Sequence, residues 1–237
     1  MAEFVIYQTD ERMFFLRNEL GVTPKIRTHI FAPNVLIGQK NITEVKDHEV
    51  VVGGRADSEA TALFNSMDVK YYNVLEDEKF QAVNARLTAE GAVGIVLSHS
   101  LISFEDMHAL VIGFGRTGSA VVRILGALDV GKLTVATTSS IRPALAFADN
   151  VVPSKDFDLA PYDVVINTAP HPIITDKEVL SIKEHAVYVD LASKPALNLC
   201  FAKYLGVDAE IYPALPAKTA PKSAAKAIAD YVRRVVL

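Results

Sequence analysis

The residues best placed to do chemistry are three glycines in the run Gly113-Phe-Gly115-Arg116-Thr117-Gly118. An apolar stretch at 109–112 leads into them and an apolar-periodic stretch leads out. A strand, a glycine loop and a helix in that order suit a pyrophosphate. Gly113 would permit the tight turn, Gly115 would let the backbone approach the phosphates, and Gly118 would let the helix pack on the strand. Arg116 and Thr117 open a helix whose unpaired N–H groups attract negative charge. The same glycines would also serve a βα turn that binds nothing, but the full strand–loop–helix context favours binding.

The next apolar run ends in Thr137-Thr138-Ser139, with Arg142 close behind. A site for NAD usually places an acid about 20 residues after the loop to bind the ribose 2′-OH. No acid stands here. Hydroxyls and a guanidinium suit a 2′-phosphate, so NADP(H) is favoured and NAD(H) stays open. Arg142 also reads as the cap of a surface helix.

Ligands of such folds sit beyond the carboxyl ends of the strands. Asn167, Thr168 and Pro170 follow one expected strand and Ser193 follows the next, so they are candidates for the nicotinamide and its ribose. Asn167 and Ser193 equally suit turns that satisfy their own backbone. His171, held between two prolines, is a candidate general acid or base near neutral pH, or an exposed loop residue. Thr88 and Glu90 could orient or deprotonate a substrate, and Arg86 could clamp a carboxylate; Arg86 and Glu90 also form an i, i+4 helical pair. Arg55, after Gly53-Gly54, and Lys218 are further candidates for an anionic substrate. There is no H-x-x-H or H-E-x-x-H spacing and no G-x-S-x-G elbow, so a metal site and a serine hydrolase are not expected.

These residues need an alternating βα scaffold to hold them, and the sequence supplies one. Strands are expected at 4–7, 25–30, 49–52 and 69–74, then at 109–112, 133–136, 150–152, 164–167, 187–191 and 209–212. Helices are expected at 10–20, 56–67 and about 78–100, the last with room for a break near 87–91, and Pro221 opens a final amphipathic helix. The fold class is α/β. A smaller N-terminal α/β domain, 1–100, precedes a doubly wound parallel sheet of Rossmann type, 101–237.

Bulk properties narrow the partners. With 24 basic and 28 acidic residues interspersed, the net charge is −4 and no basic face points to nucleic acid. Cys200 is the one cysteine, no apolar run approaches a membrane span, and no signal peptide is evident, so a cytoplasmic protein is expected.

Several further segments carry a resemblance. They are Tyr72-Asn73-Val-Leu-Glu-Asp-Glu, Asn84-Ala-Arg-Leu-Thr88-Ala-Glu90-Gly91, Ile166-Asn167-Thr168-Ala-Pro170, Asp190-Leu-Ala-Ser193-Lys-Pro195 and Leu215-Pro216-Ala-Lys218-Thr-Ala-Pro221-Lys222. With the glycine loop, their order and spacing resemble the dipicolinate synthase A-subunit family. The resemblance implies a flavodoxin-like N-terminal domain and a layout shared with D-2-hydroxyacid dehydrogenases. It also implies an NAD(P)-dependent oxidoreductase acting on a small cyclic or open-chain dicarboxylate of the lysine and dipicolinate pathway in spore formation. Implied partners are a second copy of the chain, in a dimer, and a flavoprotein B subunit. Four family glycines are replaced, by Ala196, Leu197, Ala217 and Ala225, and side-chain atoms there could intrude on a nicotinamide or substrate. The competing reading is a dinucleotide sensor without turnover.

Overall fold

A computed structural model of the chain describes residues 2–138, 147–155 and 158–237. They divide into two compact units, Met1–Leu87 with Pro216–Leu237, and Thr88–Leu215.

The first unit holds β1 (Phe4–Ile6), α1 (Glu11–Leu20), β2 (Thr28–Ile30), β3 (Val50–Gly53), α2 (Ser58–Ser66) and β4 (Lys70–Asn73). Its four strands are all parallel and lie in sequence order. A flavodoxin sheet runs 2-1-3-4-5. Removing its second strand leaves the sequential order seen here. Parallel pairing also explains why Val50-Val51-Val52 is apolar throughout: helices cover both faces, and all three valines are buried.

α3 (Glu78–His99) crosses from the first unit into the second. Gly91 suggests a break near 87–91, yet the helix is continuous. Its small and branched residues Ala85, Ala89, Ala92, Val93 and Val96 lie at three- and four-residue spacings and are all buried. Burial of that stripe outweighs the roughly 1 kcal/mol that an interior glycine costs.

The second unit holds β5 (His108–Ile112), α4 (Arg116–Ala127), β6 (Lys132–Thr137), β7 (Asn150–Pro153), β8 (Val164–Asn167), α5 (Asp176–Val179), β9 (Val187–Asp190), α6 (Leu199–Tyr204) and β10 (Asp208–Ile211). All six strands are parallel, in the order β10-β9-β8-β5-β6-β7. That is the doubly wound Rossmann order, with the topological switch between β5 and β8. One core lies on each face: Val111, Val121 and Leu125 on one, Leu110, Ile112 and Tyr188 on the other.

The short α7 (Leu215–Thr219) and the long α8 (Pro221–Val236) end the chain. A boundary near Ser100 would assign both to the Rossmann unit; instead Pro216–Leu237 returns to the first. The reason is the apolar stripe of α8. Ala225, Ile228, Ala229 and Val232 bury against Met13, Leu16 and Leu20 in one core. Arg233 Nη1 donates to the Glu19 carbonyl (2.6 Å) and Arg234 Nη2 to Asp77 Oδ1 (2.6 Å), which fixes the helix at its far end.

Candidate functional site

The site begins where β5 runs into Gly113. Gly113 has φ +94, a region that side chains disfavour, and a Cβ there would lie 2.5 Å from Thr168 Oγ1. Gly118, in the first turn of α4, packs so closely that its Cβ would stand 2.1 Å from the Gly113 carbonyl oxygen. Gly115 differs from both. A Cβ on it would meet nothing within 4 Å. As the residue before α4, Gly115 brings no side-chain cap to the first-turn N–H groups. The structure thus places a turn at Gly113, an open position at Gly115 and close helix packing at Gly118.

Above the loop is a cavity of about 380 Å³, within the range of small-molecule sites. It gathers Gly113, Gly115, Arg116, Thr117 and Gly118, then Thr137 and Thr138 at the end of β6, and Thr168, Pro170 and His171 after β8. Residues from three strand ends thus meet over the switch point. Thr168 ties two of them together, giving both its N–H and its hydroxyl to the Ile112 carbonyl, each at 2.8 Å. His171 is exposed at the rim.

Other candidates lie elsewhere. Asn167 is fully buried and does not line the cavity; its amide nitrogen donates to Asp190 Oδ1 (3.0 Å) and to the Ala169 carbonyl (3.0 Å). Its oxygen accepts from Ala169 N–H at 3.0 Å. Ser193 is exposed and also outside the lining. Ser139 and Arg142 lie outside the described residues. Thr88 and Glu90 stand on α3 in the Rossmann unit, partly and largely exposed. Arg55, Arg86 and Lys218 belong to the other unit, and all three are exposed.

Sequence reasoning missed three residues. Ser154, just past β7, joins the lining, as the strand-end rule would have allowed. Asp190 and Tyr188, on β9, form a buried polar cluster with Asn167: the Tyr188 hydroxyl donates to Asp190 Oδ2 at 2.5 Å. Burial and the Asp190 charge push the Tyr188 phenol far above its ordinary range, so it stays a proton donor. An aspartate ending an otherwise apolar strand is the signal that was available.

The replaced glycines do not crowd the cavity. Ala196 and Leu197 pack in the core that holds Leu110 and Tyr188, and Ala225 in the core beneath α8. Ala217 is likewise buried. Their Cβ atoms are packing atoms. Among the described residues no group of three or more His, Cys, Asp or Glu side chains could hold a metal, and no helix is long and apolar enough to cross a membrane.

No family model matches the chain. It is 25% identical over 207 residues to the A subunit of dipicolinate synthase from Bacillus subtilis, covering 85% of this chain and 69% of that protein. This chain is similar to that protein along most of its length. The crystal structure of the Bacillus halodurans dipicolinate synthase A subunit superposes with a TM-score of 0.76 at 22% identity, over 88% of this chain and 78% of that one. D-lactate dehydrogenase from Escherichia coli superposes at 0.62 and 13% identity, over 89% of this chain and 83% of that one. The fold is therefore one seen both in the dipicolinate synthase A subunit and in D-lactate dehydrogenase.

Proposed function

We propose that the chain is an NAD(P)-dependent oxidoreductase that acts on a small carboxylated substrate, a dicarboxylate in keeping with its relatives. One observation carries the reading: the open position at Gly115, with the packed ones at Gly113 and Gly118, beneath a cavity at the Rossmann switch point. These residues fit a dinucleotide. The loop and the first turn of α4 would hold the pyrophosphate, with Arg116 and Thr117 beside it. Thr137 and Thr138 would meet the adenosine ribose. With hydroxyls and no acid at the end of β6, a 2′-phosphate is not repelled, so NADP is the preferred form and NAD the lesser. Thr168 and Pro170 would shape the pocket for the nicotinamide end. When bound, the nicotinamide supplies or accepts the hydride.

His171 would then hold or release the proton that accompanies that transfer. Thr88 and Glu90, with Asn167 and Ser193, follow the resemblance into supporting roles, and Arg55, Arg86 and Lys218 are our candidates for pairing substrate carboxylates. A homodimer and a separate flavoprotein partner belong to the same proposal, as does a cytoplasmic setting.

A second reading has its own support. Among the described residues lining the cavity, His171 is the single histidine, and no aspartate, glutamate or lysine joins it. A cavity so sparing in acid–base groups suits a dinucleotide sensor. Steady-state assays with NADPH or NADP and a panel of mono- and dicarboxylates, pyridine-2,6-dicarboxylate included, separate the two. Turnover that falls by about 10²-fold in His171→Ala, with dinucleotide affinity kept, supports the enzyme. Dinucleotide binding with no turnover across the panel supports the sensor.

A further inference from the structure

The cavity wall from Thr168 to Ile173 carries no fixed charge of its own, yet it is held from both ends by one buried carboxylate. Asp190 is the last residue of β9, fully buried, and in register with Asn167 at the end of β8. Its Oδ1 accepts from Asn167 Nδ2 (3.0 Å) and Ala192 N–H (2.9 Å); its Oδ2 accepts from the Tyr188 hydroxyl (2.5 Å) and Ala196 N–H (2.9 Å). Each end of this set leads onward. Asn167 closes on both polar groups of Ala169, which lines the cavity. The Ala196 carbonyl accepts from Ile173 N–H (3.1 Å) and Ile174 N–H (3.0 Å), and Ile173 lines the cavity too.

We infer that Asp190 is a positioning residue, which sets the 168–173 wall against the nicotinamide end of a bound dinucleotide without touching it. The inference rests on the dinucleotide reading above. Chemistry selects the carboxylate: it accepts on both oxygens and donates on neither. An asparagine there must turn its NH₂ toward a backbone N–H, that of Ala192 or that of Ala196, and so release one of the two loops. A buried N–H left without an acceptor favours a rearranged loop.

The glycine loop has anchors of its own, the Gly113 N–H on the Ala136 carbonyl (2.8 Å) and the close packing of Gly118 on Gly113, so the two ends of a dinucleotide should respond differently. The test is calorimetric titration of the full chain and of Asp190→Asn, with NADPH and NADH and with the matching ADP-ribose fragments that lack nicotinamide. Fragment affinity is expected within about twofold of wild type, while whole-dinucleotide affinity falls about tenfold, the worth of one charge-assisted hydrogen bond. Tyr188→Phe, which removes one donor of the four and keeps the charge, is the second variant in case Asp190→Asn fails to fold. It is expected to fall about threefold on the same whole ligands, because the carboxylate keeps its charge and its three other donors, both loop N–H groups among them. Amide hydrogen exchange without ligand should quicken at Ala169, Ile173, Ala192 and Ala196 in either variant, with β5 and β6 unchanged. Equal loss for fragment and whole ligand, or unchanged exchange at those amides, overturns the inference. Failure of the wild type to bind any of the four ligands overturns the dinucleotide reading instead, and the inference with it.

Discussion

Thr168 gives two hydrogen bonds to a single carbonyl, that of Ile112, across the switch point between β5 and β8. The hydroxyl bond fixes the χ1 angle of Thr168 and sets its side chain against the Gly113 turn. Thr168→Val keeps the shape and loses that bond. It should cost about 1 kcal/mol of stability, because the Ile112 carbonyl keeps its backbone partner. Thr168→Ser should restore the wild-type value in urea denaturation.

The three glycines make a graded prediction. Gly115→Val adds side-chain atoms at a position with open space and an unstrained backbone, φ −77 and ψ −163. Its melting temperature should match wild type while dinucleotide affinity falls at least about tenfold, since the side chain occupies room that the phosphates need. Gly118→Ala must push the Gly113 carbonyl aside, so there both quantities should fall. Differential scanning calorimetry with ligand titration separates the two behaviours.

α8 decides the stability of the unit that its sequence position least suggests. Ile228→Ala should destabilise the chain by about 2–5 kcal/mol, the range for emptying a well-packed aliphatic site. Amide exchange should rise in α1, which shares its core, and stay low in β5 and β8.

Two carboxylates make the first unit sensitive to acid. Burial raises Glu49, but the Lys46 N–H and the buried His29 (2.8 Å) outweigh this, leaving it below its ordinary 4.5. Asp77 is also raised by burial, and is brought below its ordinary 3.8 by the Phe80 N–H and Arg234. A folded-state value below the unfolded one stabilises at higher pH, so this contribution is complete above about 4.5 and fades as pH falls through the folded values. Glu49→Gln and Asp77→Asn should each flatten the acid limb of stability measured by urea denaturation between about pH 6 and pH 3. An unchanged limb in both would remove these groups from the acid response.

Much of the Rossmann unit is legible in the sequence, because parallel strands buried on both faces are unbroken runs such as Val164-Val165-Ile166 and their ends carry the polar residues. The glycine loop and Thr168 are local signals, and they meet where expected. Pairings that span distance are not legible. Asp190 and Asn167 are 23 residues apart, and each alone is an ordinary turn residue at a strand end. The allegiance of α8 to α1 depends on which apolar stripe finds which, a contact between opposite ends of the chain. The unbroken course of α3 turns on burial, which a local reading of Gly91 does not include.

The dinucleotide site is tested most directly by one titration: NADPH and NADH, each against wild type and Gly115→Val, followed by calorimetry. The wild type is expected to bind a dinucleotide, NADPH more tightly than NADH, and Gly115→Val to bind each at least about tenfold more weakly while melting at the wild-type temperature. A wild type that binds neither, or a Gly115→Val variant with wild-type affinity, would contradict the site.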